Sequence, residues 1–195
     1  MLQDKLKDYH VILASSSPRR QSFFKELEIN FEIRLKPIDE VFPNNLKHSE
    51  ISDYLAELKA FPFKEELTDK DILITSDTIV WHNNQALGKP KDKREAFQMI
   101  QSLSDKTHEV ITSVCVTTKT EQKTVHDITK VTFKDFSDEE IEFYIHNYKP
   151  FDKAGAYGIQ EWIGQIGVTK IEGSYFNVMG LPVHLLYEVL NEISA

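Results

Sequence analysis

The sequence predicts an α/β fold, and three observations carry that expectation. Short apolar runs, Val11-Ile12-Leu13-Ala14 and the dense "DILITSDTIVW" from Asp71, alternate with segments of helical period. Two β-branched runs, "HEVITSVCVTT" and "KTVHDITKVTF", follow one another as a strand pair would. No Pro-, Gly- or Ser-rich linker interrupts the 195 residues, so the chain reads as a single domain over 1–195.

The elements follow in order. A strand is predicted over 10–14 and a helix over 18–27, with Phe23, Phe24 and Leu27 on one side. "NFEIRLKPI" reads as a second strand, and Pro37 and Pro43 bracket a loop containing Asp39 and Glu40. Ser49 can cap a helix whose Ile51, Leu55 and Leu58 recur at helical spacing. "DILITSDTIVW" has the continuous apolar character of a buried strand, and "HNNQ" can turn it into a hairpin. Asp92 with Glu95, and Ser137 with Glu140, have the spacing of capping boxes opening two further helices. The last helix opens at Pro182, with Leu185, Leu186, Val189, Leu190 and Ile193 on its core side.

Composition excludes several function classes. The net charge of −8 disfavours nucleic acid as a partner, since a general polymer binder needs a basic face to release counterions. One cysteine, Cys115, rules out an internal disulfide and a cysteine-based zinc site; it lies in an apolar strand and reads as a core residue. The charged start "MLQDKLKDYH" does not read as a signal peptide, and no apolar run has the length of a membrane span, so a cytoplasmic protein is expected. His108 and the His126-Asp127 pair are assigned no chemistry. A Walker loop, a G-x-G-x-x-G turn and a G-x-S-x-G elbow are all missing.

Two features suggest chemistry. In "ASSSPRRQSFF", Ser17 and Pro18 suit the cap and first position of a helix whose first turn then carries Arg19 and Arg20. Cations oppose the helix dipole there by some tenths of a kcal/mol each, roughly. An anion bound between the turn and the guanidinium groups reverses that penalty. Two solvated arginines over acidic neighbours such as Glu26 are the alternative. The second feature is Asp77, a carboxylate inside an apolar strand. It needs a cation, a metal, a proton or local hydrogen bonds as partner. Asp39 and Glu40 offer further oxygen ligands of the kind magnesium takes together with phosphate and water, although alone they read as a solvated acidic loop. Lys59, Lys89 and Lys153 are candidate cations, although each alone reads as a plain surface lysine, Lys89 least so because Gly88 and Pro90 fix its backbone. Gln160 follows the glycines of "KAGAYGIQ" with the donors and acceptor that reading a base edge requires.

"LASSSPRRQSFFKEL", "SDTIVWHNNQALGKPKD", "LSDKTHEVITSVCV", "DKAGAYGIQ" and "GSYFNVMGLPV" occur in this order over about residues 10 to 190. In these motifs the chain resembles the Maf nucleoside triphosphate pyrophosphatases, also called septum formation inhibitors. The resemblance implies a mixed α/β fold with a long twisted sheet and two lobes about a cleft, as in inosine triphosphate pyrophosphatases. It implies hydrolysis of a triphosphate to monophosphate and pyrophosphate with a divalent metal, Mg2+ or Mn2+, and a possible homodimer. Ser15, Arg19 and Arg20 match the phosphate-gripping turn, and Glu40, Lys59 and Lys89 match charged residues of the cleft. Asp77 matches the proton acceptor, with Glu40 and Asp77 as metal ligands. Thr78 and Gln160, together with Arg19, match positions linked to base choice, in the pattern of the subgroup that takes dTTP and UTP. The chain departs from the family pattern at Ser76, where alanine is commoner, and at Glu161-Trp162, where glycine and a smaller residue are commoner. A nucleotide-binding regulator of septation with little turnover is the alternative function.

Overall fold

The computed structural model describes residues 1–194. In chain order the elements are α1 (Leu2–Leu6), β1 (His10–Leu13), α2 (Pro18–Glu26), β2 (Glu32–Ile33) and α3 (Ser49–Ala60), which continues into a 3-10 turn. Then come β3 (Asp71–His82), β4 (Gln85–Leu87), α4 (Lys93–Leu103), β5 (Thr107–Thr117), β6 (Gln122–Phe133) and α5 (Asp138–Tyr148). After a 3-10 turn at Ala154–Ala156 follow α6 (Trp162–Gly167), β7 (Val168–Glu172), α7 (Tyr175–Val178) and α8 (Val183–Ile193). The strands form a seven-stranded mixed sheet in the order β2-β1-β3-β5-β6-β7, with β4 paired to β3. β1 runs parallel to β2 and β3, while the β3–β4 and β6–β7 pairs are antiparallel.

The chain packs as two compact units. The first consists of Met1–Asp77, Thr112–Asp127 and the segment from Gly180 onward; the second consists of Thr78–Ile111 and Ile128–Met179. In the first unit Ile12, Ala56, Ala60, Phe63, Leu67, Leu73 and Cys115 form a buried cluster, so Cys115 is a core residue as expected. In the second, α4 and α5 bury Ile100, Leu103, Ile141 and Tyr144 with Val131 and Phe133 of β6.

Local chemistry explains most boundaries. At α5 the capping box is complete: Ser137 Oγ accepts the Glu140 N–H at 3.2 Å, and Glu140 accepts the Ser137 N–H at 3.0 Å. At α4 it is one-sided, because Asp92 accepts the Glu95 N–H while Glu95 turns back to the Lys91 N–H instead. Asn83 and Asn84, at φ 49° and 59°, give the two left-handed residues of the predicted hairpin turn.

Three expectations are corrected. The second strand shrinks to Glu32–Ile33, since Pro37 has no N–H to pair and Lys36 is drawn to the Pro62 carbonyl at 2.7 Å. Ser49 is the first residue of α3 rather than its cap; His48 precedes it at φ 54°, and Glu50 accepts the Lys47 N–H at that end. Pro182 caps α8, which begins one residue later at Val183. Helix α6 and strand β7 follow the glycines of "KAGAYGIQ", in a stretch for which the sequence pattern predicts no element.

Candidate active site

The first unit assembles a polar cluster from four separate segments. Arg20 is in the first turn of α2, Glu40 in the loop after β2, Lys59 in the last turn of α3, and Asp77 in β3. Asp77 is only 7 % exposed. Burial pushes its pKa up, and the opposing pull comes from Lys59, whose ammonium lies 2.5 Å from Oδ1, and from the charge of Arg20. The same ammonium is 3.3 Å from Glu40 Oε1 and 3.4 Å from the Ser76 carbonyl. One lysine therefore joins two carboxylates.

Arg20 is fixed by backbone. Its Nε donates to the Gly180 carbonyl at 2.7 Å and its Nη1 to the Ser76 carbonyl at 2.9 Å. Desolvation lowers its pKa, and the negative charges of Asp77 and Glu40 oppose that shift. Arg19, next in the same turn, adds a like charge felt by Arg20. Ser17 caps α2 in position but makes no side-chain capping bond, and the first turn carries no acidic residue. Ser15 is buried, and its Oγ accepts the Ser17 N–H at 3.2 Å. The cation-led helix end read from the sequence is therefore present, with its turn ordered by Ser15.

Six of the nine expected site residues, Ser15, Arg19, Arg20, Glu40, Lys59 and Asp77, belong to this first unit, and Lys59 directly joins Glu40 and Asp77. Thr78, Lys89 and Gln160 belong to the second unit. There, the Gly88 carbonyl next to exposed Lys89 accepts the Gly155 N–H at 3.1 Å. Gly155 has φ 68°, and a Cβ there would lie 2.8 Å from Val80, so this turn requires glycine. Gln160 is half-buried.

The carbonyls of Ser76 and Gly180 were not legible as site groups, because backbone acceptors leave no residue-type signal. Ser76 itself is informative: its Oγ is buried without a hydrogen-bond partner, which fits a position where alanine would serve. The second unit also holds a cleft of about 350 Å³ between Trp81–Asn84 and 107–109, with Lys130, and none of the expected site residues lines it.

The metal expectation can be tested on the donor set. Among the described residues no group of three or more His, Cys, Asp or Glu side chains could hold a metal. Asp77 and Glu40 nevertheless converge on one cation, and magnesium is commonly held by one or two carboxylates with water and substrate phosphate. The pair fits such an ion only if phosphate and water complete its shell.

Fold and cluster together define a mixed α/β protein whose polar site sets two carboxylates against a lysine and an arginine. The chain belongs to the Maf family: residues 10–193 match the family described as Maf-like protein. It is 63% identical over 193 residues to a protein of Flavobacterium johnsoniae named dTTP/UTP pyrophosphatase, covering 99% of this chain and 100% of that one. Proteins of the same name from Flavobacterium psychrophilum and Christiangramia forsetii are 59% and 58% identical, with 96% of both chains covered in the first case and 99% of this chain and 98% of the other in the second. Among solved structures, the Staphylococcus aureus Ham1 protein matches with a TM-score of 0.56 over 94% of this chain and 98% of that chain. At 14% identity that likeness speaks for the fold alone. No helix among the described residues is long and apolar enough to cross a membrane.

Proposed function

We propose that this chain is a nucleoside triphosphate pyrophosphatase that hydrolyses dTTP and UTP to the monophosphate and pyrophosphate. The observation that carries the proposal is the buried Asp77 carboxylate held by Lys59 and flanked by Glu40 and Arg20, in a chain 63% identical over its length to a dTTP/UTP pyrophosphatase.

The chemistry follows from charge. A triphosphate repels an approaching oxygen nucleophile, so catalysis is largely the fixed placement of positive groups. The Arg20 guanidinium is held in place by two backbone carbonyls. Arg19 and the α2 turn ordered by Ser15 grip phosphate oxygens. Lys59 exchanges part of its bond to Asp77 for phosphate, which leaves Asp77 more basic and ready to take a proton from the attacking water. Lys89 adds a further cation. A divalent ion held by Asp77 and Glu40 would neutralise phosphate charge and acidify water. Thr78 and Gln160 select the base, the amide of Gln160 through its paired donor and acceptor character.

The test is pyrophosphate release from a panel of triphosphates. Asp77→Asn is expected to lower kcat for UTP on the order of a hundred- to ten-thousand-fold while the protein stays folded. Near wild-type turnover in that variant would remove Asp77 from the reaction.

A further inference from the structure

The second unit contains a buried polar network that the reaction scheme above does not use, and it surrounds the segment carrying Gln160. Its centre is Glu161, the residue that stands where the family pattern more often has glycine. Glu161 Oε1 lies 3.1 Å from the ammonium of Lys153, a lysine only 8 % exposed that also meets Asp152 at 2.7 Å. Glu161 Oε2 accepts the hydroxyl of Tyr144, a fully buried residue of α5. The Tyr144 oxygen in turn accepts the Gly158 N–H at 3.0 Å. Burial and the adjacent carboxylate push the Tyr144 pKa up, so its hydroxyl stays protonated and can donate.

The network controls backbone as well as side chains. The Glu161 N–H donates to the Gly158 carbonyl at 3.0 Å, and the Glu161 carbonyl accepts the N–H of Gly164 and of Gln165 as α6 begins. A Cβ on Gly158 would lie 2.8 Å from the Glu161 carboxyl carbon and 3.1 Å from Lys153 Cε, so Gly158 is small because this pair packs over it. A Cβ on Gly164 would lie 1.9 Å from the Ile159 oxygen, and Ile159 itself is buried. Gln160 is thus fixed on both sides. Ile159 is locked into the core before it, and Glu161 is tied to α5 and Lys153 after it.

We propose that Glu161, held by Lys153 and Tyr144, is a positioning residue that aims Gln160 and thereby sets base selectivity. The proposal rests on the assignment of Gln160 as a reader of the base. Glu161 touches no reacting atom in this scheme. It narrows the orientations open to the Gln160 amide, so the matched base gains its full hydrogen bonding and a mismatched base meets an unpaired group. A purely structural ion pair would change stability alone.

The experiment compares kcat and KM for UTP and for CTP in wild type, Gln160→Ala, Glu161→Ala, Glu161→Gln and Tyr144→Phe. Glu161→Ala and Tyr144→Phe are expected to raise KM for UTP about tenfold with a smaller change in kcat, and to shrink the UTP-to-CTP ratio of kcat/KM by a similar factor. Glu161→Gln keeps an acceptor for Tyr144 and loses only the charge facing Lys153, so it should retain more of the ratio than Glu161→Ala. If Gln160→Ala collapses the ratio while Glu161→Ala and Tyr144→Phe leave it intact, the positioning role is wrong and the reader assignment stands. An unchanged ratio in Gln160→Ala overturns the reader assignment, and the positioning role falls with it.

Discussion

At Asp77 two forces of opposite sign act on one carboxylate: burial raises its pKa, and the Lys59 ammonium at 2.5 Å opposes the rise. Removing the lysine leaves burial opposed only by the charge of Arg20. In Lys59→Met the acid-side limb of the pH profile of kcat/KM should therefore move to higher pH, because the carboxylate form needed as base appears only above a further raised pKa. An acid limb unmoved from wild type would show that Lys59 does not set the ionisation of Asp77. One residue along, the buried Ser76 hydroxyl has no hydrogen-bond partner. Ser76→Ala removes that group and should stabilise the protein by about 1 kcal/mol, read as a higher midpoint in denaturant with an unchanged slope. Much of this was legible from sequence. A carboxylate within "ILITSDTIVW" and two arginines at a helix start stand out against simple electrostatics. The anchoring of Arg20 by the Ser76 and Gly180 carbonyls was not legible, since it depends on residues 56 and 160 positions away.

Elements were readable where their signals are local. The Ser137–Glu140 capping box and the Asn83-Asn84 turn are set within four residues, and both appear as read. The stretch around β2 carries a strand-like pattern but loses it to Pro37, which has no N–H to pair, and to Lys36, whose ammonium donates to the Pro62 carbonyl in the turn after α3. β5 presents a different case. Its His108 is 2 % exposed, bonded to the Tyr157 hydroxyl at 2.7 Å, and packed against the rings of Phe133 and Tyr157, with His82 as the other titratable group acting on it. Burial pushes its pKa down from 6.5 to about 3. The folded state thus binds a proton less readily than the unfolded chain. The stability this contributes is complete above about pH 6.5 and is lost as pH falls from there toward about 3. His108→Gln should flatten the loss of unfolding free energy between neutral and mildly acid pH; a slope equal to wild type would place the acid sensitivity elsewhere.

At the scale of the whole molecule, a net charge of −8 coexists with a cluster in which Arg20 and Lys59 act on two carboxylates and Arg19 adds a like charge felt by Arg20. Local placement, rather than total charge, decides what such a site attracts. The five ordered motifs pointed to the Maf family, and the match over residues 10–193 bears that out. The partition into two packed units has no linker to announce it. Both units are built from separated segments, and the chain passes between them inside β3, directly after Asp77, and again inside β5 and inside β6. Composition and turn signals mark ends of elements, so a boundary within a strand leaves no such trace. The central claim concerns Asp77, and the most direct measurement is pyrophosphate release from dTTP, UTP and the other canonical triphosphates with magnesium, for wild type and Asp77→Asn. Rapid release from dTTP and UTP by wild type, lost in the variant while nucleotide binding persists, is the predicted result. Release from none of the nucleotides, or undiminished release by Asp77→Asn, would contradict it.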